Sequence, residues 1–481
     1  MLTTLRNRLL EPRDAASLAV FRFLFGAILC VSSIRFLWNG WVERFYVRPT
    51  FFFQYWGFEW VRVLPEPWMT VLYVAMAVLA AFVAVGFLYR ISIVALFVVF
   101  TYVELIDVTN YLNHYYLVSL LAFLMCFLPL HRAWSVDAWI RPERFNAKVP
   151  AWMLYLMRFQ IGVVYFYAGI AKLQPDWLLH AQPLGIWLAA RTETPLIGPL
   201  LTLPAVPYIM SWAGFLNDTL VVPFLLWRKT RPYAFATVVV FHFFTHLLFV
   251  IGVFPFLMVS GATLFFDADW PRTLLRRIRG LAPVTDRAEA SLRIGEPTER
   301  QPKEGRWSTG AAILVAAYCV FQVVMPLRAY LYPGDVLWHE QGMRYSWRVM
   351  VREKNGSIGY RVRWRDADRE VHVSPSQYLT SHQEREMSGQ PDLILQLARR
   401  IARDFEERGH QDVEVRVDAL VSLNGRRAAP MIDPDANLAR ETDTVAVMRW
   451  IAPSPPGAPL PAHPRHDDSS SRVATTRRAA R

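Results

Sequence analysis

Tyr165-Phe166-Tyr167-Ala168-Gly169-Ile170-Ala171-Lys172-Leu173-Gln174-Pro175-Asp176-Trp177 is an apolar run that closes on a lysine. Upstream its apolar character reaches back to about residue 151, far enough to cross a bilayer. Burying an ammonium there costs several kcal/mol, about 2.5–3.5 on insertion scales. A lysine kept at such a place has two readings. It snorkels to the interface, with Trp177 in an aromatic belt. Or it is desolvated, which favours a neutral amine that accepts a proton. This segment alone leaves both open.

Working outward, the 481 residues are 54% hydrophobic and 14% aromatic, against about 45–50% apolar for soluble chains. The excess lies between about 15 and 330. The expected fold is an α-helical integral membrane bundle with a C-terminal, mainly-β extramembrane domain. The net charge of +12 sits largely in short loops between apolar runs, where it sets topology. Zinc-finger spacing and base-reading basic helices are missing from the sequence, which argues against nucleic-acid binding. Cys30, Cys126 and Cys319 all fall in apolar runs without metal-ligand spacing and read as small core residues. The first apolar run is long, interrupted by Arg22 and Arg35, and has no clean cleavage site for a signal peptide.

Apolar runs of spanning length fall at about 15–37, 68–88, 91–109, 112–130, 151–173, 204–227, 232–250, 253–268 and 309–329, about nine in all. The pair at 232–268 is short and turns near Gly252 and Pro255. Loop arginines and lysines at 6–13, 90, 132–148, 228–231 and 272–279 share one side if the N-terminus is cytoplasmic, with Arg44, Arg48 and Arg62 as exceptions. An odd number of spans then places the C-terminal domain outside, together with the Lys172 end of its span. The expected organisation is a bundle over 1–280, a cytoplasmic linker over 281–308, a last span over 309–330, an outer domain over 331–452 and a disordered tail over 453–481. In the outer domain, Met343–Arg352 and Ile358–Trp364 read as strands around an Asn355-Gly356 turn, and Arg369–Ser374 continues the sheet. Asp392–Arg408 reads as an amphipathic helix, with Leu393, Leu395, Leu397 and Ile401 inward. Val413–Leu423 alternates again and ends at the turn Asn424-Gly425.

The apolar runs carry more polar groups than an anchor needs: Glu104, Asp107, Asn113, His114, Arg158, Gln160, Asn217, Asp218, His242 and His246. Intramembrane polar groups usually face the bundle interior and mark a pathway or a site. His242 and His246 are four apart and share a helix face. A zinc helix would add a carboxylate between them, so no metal site is expected; they read as interior histidines or contacts to a polar ligand. Asp218 reads most simply as the ion-pair partner of an arginine such as Arg158, and His114 as an interfacial histidine or a site residue.

The segment Val163–Trp177, with its YF-AG--KL--DW pattern, resembles the vitamin K-dependent gamma-glutamyl carboxylases. Collinear similarities run from about 16 to 450. They include Tyr89-Arg90-Ile91-Ser92, Asn113-His114, Trp134-Ser135-Val136-Asp137, Phe241-His242, Ile251-Gly252-Val253-Phe254, the segment Tyr345-Ser346-Trp347-Arg348, and Ile432-Asp433-Pro434. The resemblance implies an enzyme that deprotonates reduced vitamin K, a phylloquinone or menaquinone hydroquinone, and adds O2 to it. The strong base so formed removes a proton from the gamma carbon of a peptide glutamate, and CO2 adds there. It aligns Lys172 with the base that deprotonates the quinol and His114 with a histidine of the carboxylation half. Asn113, Tyr165, His242 and Asp218 become candidates for the quinone pocket, and Tyr345, Trp347 and Arg348 for the peptide. The implied partners are a Glu-containing protein and the membrane lipid that carries the quinone. The chain departs from the animal enzymes in having Ala171-Lys172 in place of two lysines, fewer apolar residues before Tyr345, and none of their disulfide cysteines. These features, with the Arg-, Ala- and Pro-rich composition, fit a homologue in a bacterial inner membrane. A quinone epoxidase without carboxylation and a membrane transporter are the competing functions; the sequence has no internal repeat of the kind transporters show.

Overall fold

The structure is a computed structural model describing residues 2–144, 147–249, 251–280, 309–367 and 369–461. The expected linker over 281–308 and the tail from 462 onward lie outside the described residues. Among the described residues, the longer helices of the apolar part are α1 (Ala16–Trp38), α2 (Trp68–Val85), α3 (Tyr89–Leu105), α4 (Asn113–Phe127), α5 (Ala151–Lys172), α6 (Ala205–Leu226), α7 (Arg231–Leu248), α8 (Phe254–Ala262) and α9 (Thr309–Leu327).

Among the described residues, five helices are long and apolar enough to cross a membrane: α1, α2, α5, α6 and α9, the last extended to Leu331. The expected nine is not met by that measure. Helix α4 has 15 residues, about 22 Å at 1.5 Å per residue, against a hydrocarbon core of about 30 Å. Helix α8 is shorter still, and α3 carries Arg90 and Glu104 close to its ends.

Hydrogen bonds gather the helix ends into two layers. At one, the short strands β1 (Pro12–Asp14) and β2 (Lys148–Pro150) pair, and Asp14 binds Arg272 at 2.7 Å. There Asp137 accepts from Leu88 N and Tyr89 N at 2.8 and 2.9 Å, capping α3. Buried Arg22 reaches the carbonyls of Ala84, Leu130, Ala133 and Trp134. The outer domain closes the opposite layer. Close packing starts from glycine: a Cβ on Gly26 of α1 would meet Ala84 N of α2 at 2.5 Å. Helix α5 runs through the middle, 61% of its apolar window buried, while α9 lies at the edge with 11%.

The outer domain is a four-stranded sheet in the order β4-β3-β5-β6, with β3 (Lys354–Arg363) and β5 (Glu414–Leu423) paired along their whole length, β4 at Val371–Val373 and β6 at Ala429–Pro430. Helix α10 (Ser381–Met387) opens on a capping box of Thr380 and Gln383. Helix α11 (Pro391–Glu407) buries Leu393, Leu395, Leu397 and Ile401 against Val415, Val417 and Val421 of β5, whose alternate residues face it. The sheet is small and antiparallel throughout, and helices carry as much of the domain, so it is α+β rather than mainly β.

The expected hairpin at Asn355-Gly356 does not form. Both residues lie inside β3, opposite Ser422 and Val421. Gly356 is there for space, since a Cβ would meet Ser388 O at 2.6 Å. Met343–Arg352 is not a strand, because Tyr345, Trp347 and Met350 hold left-handed backbone with φ of 65°, 58° and 54°. The turn at Asn424-Gly425 does form, with φ of 49° and 84°. The expected tail starts later than 453: Leu460 N donates to Gly425 O at 3.3 Å, and Leu460 O accepts from Gln182 Nε2 at 3.2 Å.

Candidate functional site

Helix α5 carries Tyr165 and Lys172 seven residues apart, and therefore on one face. That face packs on α6 through Gly169, where a Cβ would stand 2.7 Å from Thr219 Oγ1. The resulting approach places Asp218 opposite Lys172. Lys172 Nζ donates to Asp218 Oδ2 at 2.7 Å and to Ala168 O at 3.3 Å, with Lys172 4% and Asp218 5% exposed. Lys172 therefore does not snorkel. Trp177 is buried as well, outside any aromatic belt: its ring lies 5.3 Å from the ammonium and its indole donates to Ser211 O on α6 at 2.8 Å.

The expected partner of Asp218, Arg158, is elsewhere. Its guanidinium donates to Leu264 O and Phe266 O at 2.7 and 2.8 Å, closing the end of α8.

Tyr165 and His242 complete this half. Tyr165 Oη and His242 Nε2 are 3.1 Å apart, both residues 2% exposed. His246 does not join them; its ring packs on Phe256 at 5.1 Å. His242 Nδ1, Asn217 Oδ1 and Gln174 Nε2 are buried without a hydrogen-bond partner. Asn217 Nδ2 contacts Asp218 Oδ1 at 3.3 Å, and Gln174 N bonds Lys172 O at 2.9 Å. The three unpaired atoms thus belong to residues next to the ion pair or bonded to Tyr165 on its face of α5, a set suited to hydroxyl or carbonyl groups of an apolar ligand.

His114 stands across a ring. Phe254, at the start of α8, lies 6.0 Å from the His114 ring and 5.9 Å from that of His242. His114 Nε2 sits 3.4 Å from where a Cβ of Gly252 would be, and Gly252 has φ +59°, so glycine meets both a steric and a backbone demand. Asn113 turns away from Lys172: its Oδ1 accepts from Tyr111 Oη at 3.1 Å, and Tyr111 Oη accepts from Tyr345 N at 2.9 Å.

Tyr345 and Trp347 meet the start of α4. The Tyr116 ring stacks on Trp347 at 5.1 Å and meets Tyr345 at 4.7 Å, and Tyr55 lies 6.5 Å from Tyr345. Trp347 Nε1 and Tyr55 Oη are buried and unpaired. Arg348 is not part of this box; its guanidinium lies over Tyr330 at 5.4 Å. Arg328 stands over Tyr345 instead, at 5.4 Å.

Three contacts escaped the sequence reading. Trp177 shields Lys172. Asp176, four residues after Lys172, binds Arg426 bidentately at 2.6 and 2.7 Å and Asn424 at 3.0 Å, fastening the outer-domain turn to the end of α5. Half-buried Glu104 accepts from Ser119 at 2.6 Å beneath the aromatic box. The DW of the quoted motif was visible, but not what it touches.

Residues 10–270 match the family model of the HTTM domain, and residues 308–456 that of the vitamin K-dependent gamma-carboxylase lumenal domain. No solved structure matches the chain.

Proposed function

The chain belongs to the vitamin K-dependent gamma-carboxylase family, and from that premise we propose that it carboxylates glutamate side chains of a protein substrate at the expense of reduced vitamin K. Carboxylase chemistry needs this coupling, because a glutamate gamma proton is too weakly acidic for any side-chain base. When bound, the reduced quinone supplies with O2 the driving force for that proton's removal, leaving the epoxide and, after CO2 addition, gamma-carboxyglutamate.

The observation that carries the reading is the buried Lys172–Asp218 pair, with unpaired polar atoms on the residues Gln174, Asn217 and His242. These residues fit the group. A quinol brings two hydroxyls, and His242 Nδ1, Asn217 Oδ1 and Gln174 Nε2 are free to bind them. The Lys172–Asp218 pair accepts the proton of the phenol, and its ammonium stands as a positive charge facing the phenolate so formed. Tyr165 and His242 orient the ring, and Trp177 and Phe254 exclude water. His114 serves the carboxylation half, on the far side of Phe254. Tyr345 and Trp347 receive the peptide where the outer domain meets α4. Phylloquinone or a menaquinone, carried in the lipid, reaches the bundle laterally. The arginine-rich layer faces the cytoplasm with the N-terminus, and the outer domain lies on the opposite side.

The test is labelled CO2 incorporation into a Glu-containing peptide with reduced vitamin K, scored with epoxide in the same reaction. Lys172→Ala is expected to lose both products by about 10²-fold or more. His114→Ala is expected to lose carboxylation while keeping most of the epoxide. Equal loss of both in His114→Ala rejects the division of labour, and neither product from wild type rejects the function. A second reading is epoxidation alone, resting on the segment before Tyr345, which departs from the animal enzymes and where Arg344 is held by Asp392 and Gln390. Epoxide without labelled peptide selects it.

A further inference from the structure

Between α1 and α2, residues 50–56 run extended beneath α11 of the outer domain. Gln54 N donates to Gln396 Oε1 at 2.9 Å, and Gln396 Nε2 to Gln54 O at 3.0 Å, so one side chain acts as a strand neighbour. Phe53 and Tyr55 point inward and are buried. Thr50, Phe51, Phe52, Gln54 and Trp56 line a cavity of about 710 Å³ that α11 completes.

The cavity is strongly basic. Arg62, Arg399, Arg400 and Arg403 line it against two carboxylates, Glu59 and Asp443. Arg400 is engaged by Asp404 at 2.9 Å. Arg62, Arg399 and Arg403 make no ion pair among the described residues. Arg399 and Arg403 are one turn apart on one face of α11, where like charges repel. Trp56, Phe58 and Trp60 stand exposed beside them, at 59%, 40% and 73%. Guanidinium groups with exposed aromatic rings suit a carboxylate-bearing chain.

Position decides between a peptide and a lipid headgroup. The inner wall of the cavity is the outer wall of the aromatic box: Val108 N donates to Phe53 O at 2.9 Å, and Tyr55 faces Tyr345. Whatever lies in the cavity is one extended segment away from Tyr345 and Trp347. The floor is polar, built from Gln54, Gln396 and Asp443, and the space has two walls, as an extended chain requires. We propose that this cavity docks an acidic stretch of the protein substrate flanking the glutamate to be modified. The proposal rests on the carboxylase reading for its substrate, and it needs no turnover to be tested.

The experiment uses the full chain in nanodiscs of neutral lipid without vitamin K. Binding of a fluorescent Glu-rich peptide and of its Gln counterpart is followed by anisotropy, for wild type and for Arg399→Ser/Arg403→Ser, two changes on an exposed helix face. Wild type is expected to prefer the Glu peptide by about tenfold at low salt, with the preference shrinking as salt rises. The double variant is expected to lose the preference, with its melting temperature kept. Equal binding of the two peptides, or an unchanged preference in the variant, overturns the docking site. If the detergent-solubilised protein is stabilised by phosphatidylglycerol but not by the Glu peptide, and the variant loses that effect, the cavity is a headgroup site and the proposal falls. A wild-type protein that binds the peptide but yields no labelled product in the CO2 assay refutes the carboxylase reading and not the dock. A protein that makes product but shows no Glu preference refutes the dock and not the reading.

Discussion

Lys172 and Asp218 are both almost fully buried and 2.7 Å apart, so neither charge can be deleted without stranding the other. Breaking a buried pair from one side costs about 3–5 kcal/mol, more than a surface ion pair is ever worth. Asp218→Asn is therefore expected to lower the melting temperature and to cut epoxide formation at least about tenfold, with carboxylation falling in step. Epoxide formation that holds or rises would assign the proton to Lys172 alone. The sequence presented Lys172 as an anomaly and Asp218 as a buried acid in need of a cation, but it could not join them. Arg158 was the other cation in range, and residue type does not rank two cations. What separates them is the local demand of Leu264 and Phe266, whose carbonyls have no other donor at the end of α8 and take the guanidinium. Trp177 was misread for a related reason. A tryptophan beside a span end looks the same in sequence whether it faces lipid or folds back, and only Ser211 on α6 decides.

Helices α5 and α6 approach each other because Gly169 has no side chain. Gly169→Ala would press a methyl group against Thr219, whose Oγ1 stands 2.7 Å from the added carbon and whose backbone N is 3.2 Å away. Overpacking of this kind costs about 1–3 kcal/mol. The expected result is a lower melting temperature and a loss of epoxide out of proportion to it, because the shift separates Lys172 from Asp218. Helix α10 meets the bundle through His382, whose ring packs on Phe45 at 5.0 Å and whose Nε2 lies 3.2 Å from Asn110 Oδ1. Burial, with Arg385 and Arg44 nearby, pushes its pKa down from 6.5 to about 4. The folded state then binds fewer protons than the unfolded chain between those values. The neutral ring's contribution to stability is complete above about pH 6.5 and is lost progressively as pH falls towards 4. His382→Gln should flatten the fall of melting temperature between pH 7 and pH 4; an unchanged slope would remove His382 from the account. At this scale the sequence was legible where a period repeats. Helix α11 and strand β5 were read within a few residues of their ends. Asn355-Gly356 misled because the pair that makes a tight turn also fits a strand position that Ser388 O approaches closely.

The outer domain is held to the bundle at separated places. Gln383 donates to Asp107 at 2.8 Å, Tyr111 accepts from Tyr345 N, Trp187 donates to Glu353 at 2.7 Å, and Arg426 grips Asp176. The last of these joins the turn after β5 to the stretch that follows Lys172. Removing it by Arg426→Ala leaves Asp176 buried without its cation, a cost of about 3 kcal/mol. Hydrogen exchange across residues 173–182 should speed up, and carboxylation should drop further than the epoxide does. Exchange that stays at the wild-type rate would mean that the other contacts suffice. The two-part organisation was plain from composition, and five of the nine expected crossings survive as full-length apolar helices. Part of the rest was hidden because hydropathy counts apolar residues, while α4 stops at Leu128, where the backbone turns extended, and α8 passes at Thr263 into a 3-10 turn that ends at Phe266.

Helix α9, alone in joining the two parts along the chain, is tied to α5 by little more than Tyr318 on Gln160 and Tyr167 on Val323. With 11% of its apolar window buried, it has few protein neighbours to fix its height in a bilayer. A bilayer too thin or too thick for it would tilt this helix first, at a cost of fractions of a kcal/mol per Å. The strain would pass to the C-terminal domain while leaving α5 and α6 in register, so under the proposed function the two half-reactions would sense membrane thickness unequally.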